Sequence, residues 1–509
     1  MKRLQLNNVN IVIFEDEITL YWDKQWELDD GIIYHVYLNQ VNIASTQKTH
    51  YEITNLESDT EYSVKIEGQD GEIIFCDVLR TEKAKKRIDI TKPPYNAVGD
   101  GKTLNTTILQ SALDDCKEDE CVYLPKGVFL TGALDMHSDS ELYIDKGAIL
   151  QGSGVVNDYA PKVISRFEGT ETECYRPLIN IGKMDRNGGC TTKNVVIRGG
   201  GSVFGGGKEL CWSVIEKERE RLKEYLAENA EYVKTCENED TIPGRARPFL
   251  INMNNAQNVV FANLTMGFGA AWNVHFNYCK DVLTYNCAIK SRGVWNGDGW
   301  NPDSSENCTI FATRFDTHDD AIAIKSGKNP EGNIINRPTK NIRIFDCGGC
   351  NGIACGSELS GGISGVYVWD CDFNKGGGGF NVKTTRDRGG FAKNIKIRNC
   401  KLVRFSLTTA CCFNNDGESS GYLTEIENID VKNVELLGVA RRPECPVTVV
   451  SPIFICGFDE TEHYNIKNVN IDNVRLPSSE NGVQKIELKN FENVNINNIS
   501  YYEIDLENT

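Results

Sequence analysis

The chain has 509 residues, 40% of them hydrophobic and 25% charged, with 46 glycines; this exceeds one ordinary core and lies far from compositions that stay disordered. Its 55 basic and 72 acidic residues leave a net charge of −17, which opposes non-specific binding to nucleic acid or to an anionic membrane surface. No apolar run of about 18 residues is present to span a bilayer. Asparagines and acids interrupt the N-terminal MKRLQLNNVNIVIFEDEI before an export signal could form, so a cytoplasmic protein is expected, its 19 cysteines reduced thiols rather than a disulfide framework.

Residues 1 to 86 are predicted to form a small all-β domain, because ITLYW (Ile18 to Trp22), IIYHVYL (Ile32 to Leu38) and YSVKIEG (Tyr62 to Gly68) alternate with period two between turn residues. The pattern Leu56, Thr60, Tyr62, Val64 in YEITNLESDTEYSVKIEG resembles fibronectin type III modules, in which such a tyrosine forms a corner with upstream backbone. A module of this kind either docks carbohydrate or spaces a partner domain, and fold alone does not decide between them. The charged, proline-paired TEKAKKRIDITKPPYN (Thr81 to Asn96) marks the boundary, with a linker at 87–96 and a second domain at 97–509.

The second domain opens on AVGDGKTLNTTILQSALDDC, a glycine turn and an amphipathic helix with Thr107 or a polar neighbour as its cap. A loose repeat then runs through NVVFANLTM, DVLTYNCAI, NCTIFATRF, NIRIFDCGG, GVYVWDCDF, NIKIRNCKL and NIDVKNVEL, starting at Asn258, Asp281, Asn307, Asn341, Gly365, Asn394 and Asn428. Strand-rich units of 23 to 34 residues, punctuated by asparagine and glycine, predict a right-handed parallel β-helix. The fold class is therefore all-β, a right-handed parallel β-helix after a small β-sandwich. Cys287, Cys308, Cys347, Cys371 and Cys400 recur at equivalent places and read as an internal ladder of small apolar side chains. One lone CxxC, Cys347 to Cys350, is weak evidence for zinc, and no metal or cofactor is expected. The charged segment Ser213 to Lys234, with Val214, Leu222, Tyr225 and Leu226 as its sparse apolar residues, is predicted as a helical insertion that walls a cleft, contacts a subunit or faces solvent.

Within the repeats, NGDGWNPDSSENC and DTHDDAIAIKSG place Asp298 21 residues before Asp319, with Asp320 adjoining. That spacing is close to one coil, so three carboxylates can meet on one patch. Clustered carboxylates raise one another's pKa, which lets one stay protonated as an acid while another serves as base. An Asp-rich turn and a calcium site are the alternatives on spacing alone.

Together with GDGKTLNTTILQSALDDC, YLPKGVFLTGAL, RPFLINMNN, AAWNVHF, GIACGSELSGG and VKTTRDRGG, in that family's order, these motifs resemble glycoside hydrolase family 28, the polygalacturonase family, and most of all its bacterial exo-acting branch. The resemblance implies an inverting hydrolase that cleaves α-galacturonosyl linkages in pectic oligosaccharides or polysaccharides. It places the family's Asn-Thr-Asp motif on Asn296-Gly297-Asp298 and its Asp-Asp pair on Asp319-Asp320. Asp319 then becomes the proton donor, and Asp298 and Asp320 activate the water. It draws Asn296, His275, Asn351, Asn381, Lys383 and Arg386 into the substrate-binding set, Lys383 as the grip on a uronate carboxylate; Lys325, two residues before Gly327 and on the strand of the aspartates, is a second candidate for that grip. Six bases against one acid between Gly376 and Arg398 supply a local charge of +5 for such a grip. Aiming both Asp319 and Asp320 at one cleft requires a bulge or strand end there.

Two positions depart from the family pattern. Gly349-Cys350-Asn351-Gly352 stands where Gly-His-Gly is usual, and Asn381 replaces the arginine of Arg-Ile-Lys. The departures open a galacturonohydrolase acting on rhamnogalacturonan, with a neutral sugar beyond the bond, as a second reading. A non-catalytic glycan-binding β-helix is a third, and a calcium-dependent lyase giving an unsaturated product a fourth. The oligomeric state stays open, a homo-oligomer included.

Overall fold

The asparagines that punctuate the repeat share one backbone state. In the computed structural model, which describes residues 1–26, 30–409, 417–441, 447–459, 463–478 and 486–503, Asn258, Asp281, Asn307, Asn341, Asn394, Asn428, Asn468 and Asn493 all have φ between 53° and 60°. Left-handed backbone costs a β-carbon least when the side chain is Asn, Asp or Gly. The asparagine side chains then bond from coil to coil: Asn258 Nδ2 donates to Asn194 Oδ1 at 2.7 Å, Asn341 to Asn307 at 2.5 Å and Asn493 to Asn468 at 2.7 Å. A ladder of bent residues thus stacks the repeats in register.

Each predicted repeat is a strand: Ala256–Ala262, Lys280–Tyr285, Glu306–Phe311, Thr339–Phe345, Ile363–Trp369, Phe391–Leu402 and Glu425–Leu436. All pair in parallel, and two further coils, Ile466–Pro477 and Glu492–Tyr502, continue the series. The coils supply a 22-stranded sheet and a separate 11-stranded parallel sheet, and their inward side chains form one continuous apolar core. The crossovers take the right-handed sense that twisted strands impose. Tyr285, Phe311, Phe345 and Trp369 stack at 4.3 to 5.2 Å on successive rungs.

The described residues divide into two compact units, Met1–Arg87 with Asp119–Cys121, and Ile88–Glu118 with Val122–Thr509. In the first, two four-stranded antiparallel sheets enclose one core containing Ile18, Leu20, Val36, Val64 and Ile66. The Tyr62 hydroxyl accepts the Glu57 N–H at 2.9 Å, which closes a corner on upstream backbone.

Three expectations need correction. The stretch expected as a linker is ordered: Lys86–Asp89 is a strand, and Ile90 is buried in the core of the second unit, its carbonyl receiving the Ala97 N–H at 2.7 Å. The helix Thr106–Asp115 starts from Asn105, a polar neighbour of Thr107, but the Asn105 side chain makes no capping bond and is held instead by Val98, Thr103 and Leu130 backbone. Cys308 leaves the cysteine row. It stands directly after the ladder residue Asn307 and pairs with Ile342, whereas Cys287, Cys347, Cys371 and Cys400 each follow a second left-handed Asn or Asp, five residues further along the repeat. All are buried free thiols, as a packing ladder requires.

Candidate active site

The 11-stranded sheet carries the site. Its strands alternate: Trp300, Ile322, Ile353, Phe380 and Phe405 enter the core, while Asn301, Ala323, Ala354, Asn381 and Ser406 point outward. Trp300–Asp303 pairs with Ile322–Ile324 with Trp300 opposite Ile322, so two residues earlier Asp298 lies level with Asp320. The strands have not yet begun at that level. Asp298, Asp319 and Asp320 all sit at strand ends, which frees adjacent Asp319 and Asp320 from the alternation. The Gly299 N–H reaches the Asp320 carbonyl at 3.0 Å, and a β-carbon at Gly299 would lie 2.4 Å from the Ala321 carbonyl, so only glycine lets the two carboxylate turns approach.

Asp298 is 4% exposed. Its Oδ2 accepts Asn301 Nδ2 at 2.9 Å and lies 3.3 Å from Lys325 Nζ, while its carbonyl accepts the backbone and side-chain N–H groups of Asn273. Asp320 Oδ2 lies 2.8 Å from Lys383 Nζ. Asp319 Oδ1 accepts the Asp320 N–H at 2.9 Å, and among the described residues no ammonium or guanidinium pairs with it. Burial lifts the Asp298 carboxyl well above the usual range, and Asp319 and Asp320 add to the lift while Lys325 opposes it. Burial likewise lifts Asp320, with Lys383 opposing and Asp319 adding. The cluster therefore keeps a proton at pH values where isolated carboxyls have lost theirs.

Lys325 is nearly as buried as Asp298. Its ammonium lies 3.3 Å from Asp298, 3.4 Å from Glu358 and 3.5 Å from the centre of the Trp272 ring. Burial alone would drive its proton off, but Glu358, Asp298 and Asp320 hold the pKa above its usual value. Lys325 thus grips Asp298 and Glu358 rather than presenting a free ammonium to a ligand. Glu358 and Trp272 were not foreseen as site residues, although both lie inside the motifs GIACGSELSGG and AAWNVHF. Burial opposes ionisation of Glu358, but Lys325 and Arg388 overcome it and hold its pKa below the usual value.

The remaining candidates fall into three groups. Lys383 and Asn381 lie on the outward face of Phe380–Lys383, Lys383 paired with Asp320 and Asn381 Oδ1 accepting the Ser406 hydroxyl. Asn351 and Asn296 act on the turns: Asn351 Nδ2 donates to the Thr317 and His318 carbonyls just before Asp319, and Asn296 Oδ1 accepts Arg247 Nη2 at 2.7 Å. His275 does not reach a ligand, being 0% exposed and bonded through Nδ1 to Asn252, with Asp303 3.7 Å from Nε2. Arg386 is exposed, with its guanidinium over the Phe458 ring. The basic cluster expected between Gly376 and Arg398 is dispersed, because Arg388 and Arg398 are buried and Lys393 is paired with Glu425 and Glu427.

One side of this surface is covered. In the hairpin Lys162–Phe167 and Thr170–Tyr175, Ser165 bonds to Asn252 at 2.8 Å, Arg166 pairs with Asp303 at 2.6 Å, and Phe167 stacks on Phe249 and Trp272. The helical insertion is three short helices, Gly207–Arg221, Lys223–Glu228 and Ala230–Val233. Val214 is buried, Tyr225 is exposed, and Trp212 stacks on Trp295 in the turn that carries Asp298, so the insertion walls the site. On the opposite side an open groove of about 430 Å³ is lined by Asn381, Lys383, Arg404, Ser406, Phe454 and Glu487 among others. Among the described residues no cluster of His, Cys, Asp and Glu is arranged to hold a metal ion.

The sequence profile of glycosyl hydrolases family 28 matches residues 167–446, more than half of the chain, Asp298, Asp319, Asp320, Lys325, Glu358 and Lys383 among them. The chain belongs to this family. An exo-poly-alpha-D-galacturonosidase of Dickeya chrysanthemi is 29% identical over 344 residues, 63% of this chain and 56% of that protein. An endo-polygalacturonase of Pectobacterium parmentieri is 28% identical over 398 residues, 73% of this chain and 88% of that protein. The chain thus spans little more than half of the Dickeya relative. In fold it is similar to a family 28 exopolygalacturonase of Yersinia enterocolitica, with a TM-score of 0.78 at 19% identity, covering 98% of this chain and 96% of that one.

Proposed function

We propose that the protein is an inverting glycoside hydrolase that removes galacturonate from pectic oligosaccharides. The observation that carries this reading is the carboxylate cluster. The three carboxylates meet on one patch at strand ends, Asp298 and Asp320 each beside a lysine, which suits a cluster that shares a proton for the leaving group while its ionised members take one from water. Asp319 protonates the glycosidic oxygen as the bond to the anomeric carbon breaks. Asp298 and Asp320 take the proton of a water that attacks from the opposite face, so the product emerges with inverted configuration. The names of the relatives support galacturonan as the substrate class.

Exo action is supported by the hairpin whose Ser165, Arg166 and Phe167 reach Asn252, Asp303 and Trp272 on this surface. A chain entering the groove from the Lys383 side meets this wall and is cut near its end. The first unit, with two antiparallel sheets and the Tyr62 corner, reads as a fibronectin type III-like module. Incubation with trigalacturonate tests the activity: stepwise release of galacturonate is expected, whereas an unsaturated, ultraviolet-absorbing product would mean a lyase, and no product a binding protein.

A further inference from the structure

Asn381 leaves this chain without the arginine that its motif would place beside Lys383, yet a guanidinium stands one coil further on. Gly379, Asn381 and Lys383 face outward on one coil, and Arg404, Ser406 and Thr408 lie opposite them on the next, in the register Asn381 to Ser406 and Lys383 to Thr408. Gly379 adds no side chain between Arg404 and the carboxylates. Arg404, Lys383 and Asn381 line the same open groove of about 430 Å³.

The Arg404 side chain is half-buried on the groove wall. Its guanidinium lies over the Phe454 ring, 5.3 Å from the centre, and its Nε is buried with no hydrogen-bond partner. Glu487, on the same groove, accepts the Ser451 hydroxyl, and no ion pair joins it to Arg404 among the described residues. A half-buried guanidinium on an open groove wall can meet a ligand carboxylate through a charge-assisted, two-pronged bond. The other groove walls suit a sugar: the Phe454 ring for its C–H face, and Ser406, Thr408, Ser451 and Glu487 for its hydroxyls. Burial also pushes the Arg404 pKa down, with Glu487 opposing.

We propose that this groove seats the sugar next to the cleaved bond and that Arg404 receives its carboxylate, in place of the arginine missing at Asn381. The inference rests on the galacturonate reading and narrows it: the sugar beyond the bond is a uronate, not a neutral rhamnose. Arg404 is thereby a specificity residue.

The test is binding of trigalacturonate and of its fully methyl-esterified counterpart to the full-length Asp319→Asn protein, by calorimetry, with Arg404 intact or changed to Ala, Gln or Lys. With Arg404 intact, the acid should bind more tightly than the ester. Arg404→Ala and Arg404→Gln should each weaken the acid by roughly tenfold or more, as loss of a charged hydrogen bond does, and leave the ester within about threefold. Arg404→Lys should fall between. Equal loss for acid and ester, no loss for either, or no binding of trigalacturonate with Arg404 intact would overturn the proposal. Unfolding temperatures of all variants separate misfolding from lost recognition. Hydrolysis by the unmodified protein is measured apart, so acid-selective binding without turnover would refute the hydrolase reading while leaving Arg404 in its role.

Discussion

Asp298 lies at the junction of two opposing effects, burial that lifts its carboxyl and a buried lysine that opposes the lift. Asp→Asn changes at 298, 319 and 320 should each lower kcat by at least about 10², the contribution of acid–base groups, in proteins that still fold. Near-normal turnover in Asp319→Asn would remove the assigned donor. Lys325→Met deletes the cation against Asp298, so the Asp298 pKa should rise further and the acid limb of the kcat/KM profile should move to higher pH; an unmoved limb would deny Lys325 this part. The same lift has a stability consequence. A carboxyl with a raised folded pKa favours folding below its unfolded pKa and loses that advantage as pH rises through the folded value. Asp298→Asn should therefore raise the unfolding temperature at neutral pH and change it little near pH 3. The three aspartates were legible because their spacing matches one coil, although the register sets Asp298 level with Asp320 rather than with Asp319. Glu358, Trp272 and Arg404 were not, because each depends on which coils stack, and no local spacing reveals that.

The asparagine ladder explains why the coils were readable as elements. Asn341, at φ 60°, donates to Asn307 and accepts from Arg343. Asn341→Ala should destabilise by about 1 to 2 kcal/mol, the left-handed backbone penalty for a β-carbon, and Asn341→Gly should cost less despite losing the same bonds. Chemical denaturation of the two variants checks this, and equal losses would assign the cost to the side chain instead. The period-two strands of the first unit were found only where alternation was clean. Val9–Ile13 was missed because Val12 breaks the apolar–polar alternation of VNIVI, although it is no more continuously buried than Glu17–Trp22, which was found. The charge of the Gly376 to Arg398 segment misled because the sequence does not show which bases the fold buries or pairs.

For the whole molecule, every assigned site residue falls within the unit formed by Ile88–Glu118 and Val122–Thr509. Ile90 is fully buried in that unit, so a chain begun at Ile88 should unfold at a higher temperature than one begun at Ala97. Equal thermal stability would mean that 88–96 is a linker after all. The central claim, single displacement of galacturonate by water at the Asp298, Asp319 and Asp320 cluster, is tested most directly by proton NMR of the first galacturonate released from trigalacturonate, followed before mutarotation mixes the anomers. Inversion at an α-linkage predicts that the β-anomer appears first. An α-anomer appearing first would contradict the account, because it would require a covalent intermediate on one of these carboxylates.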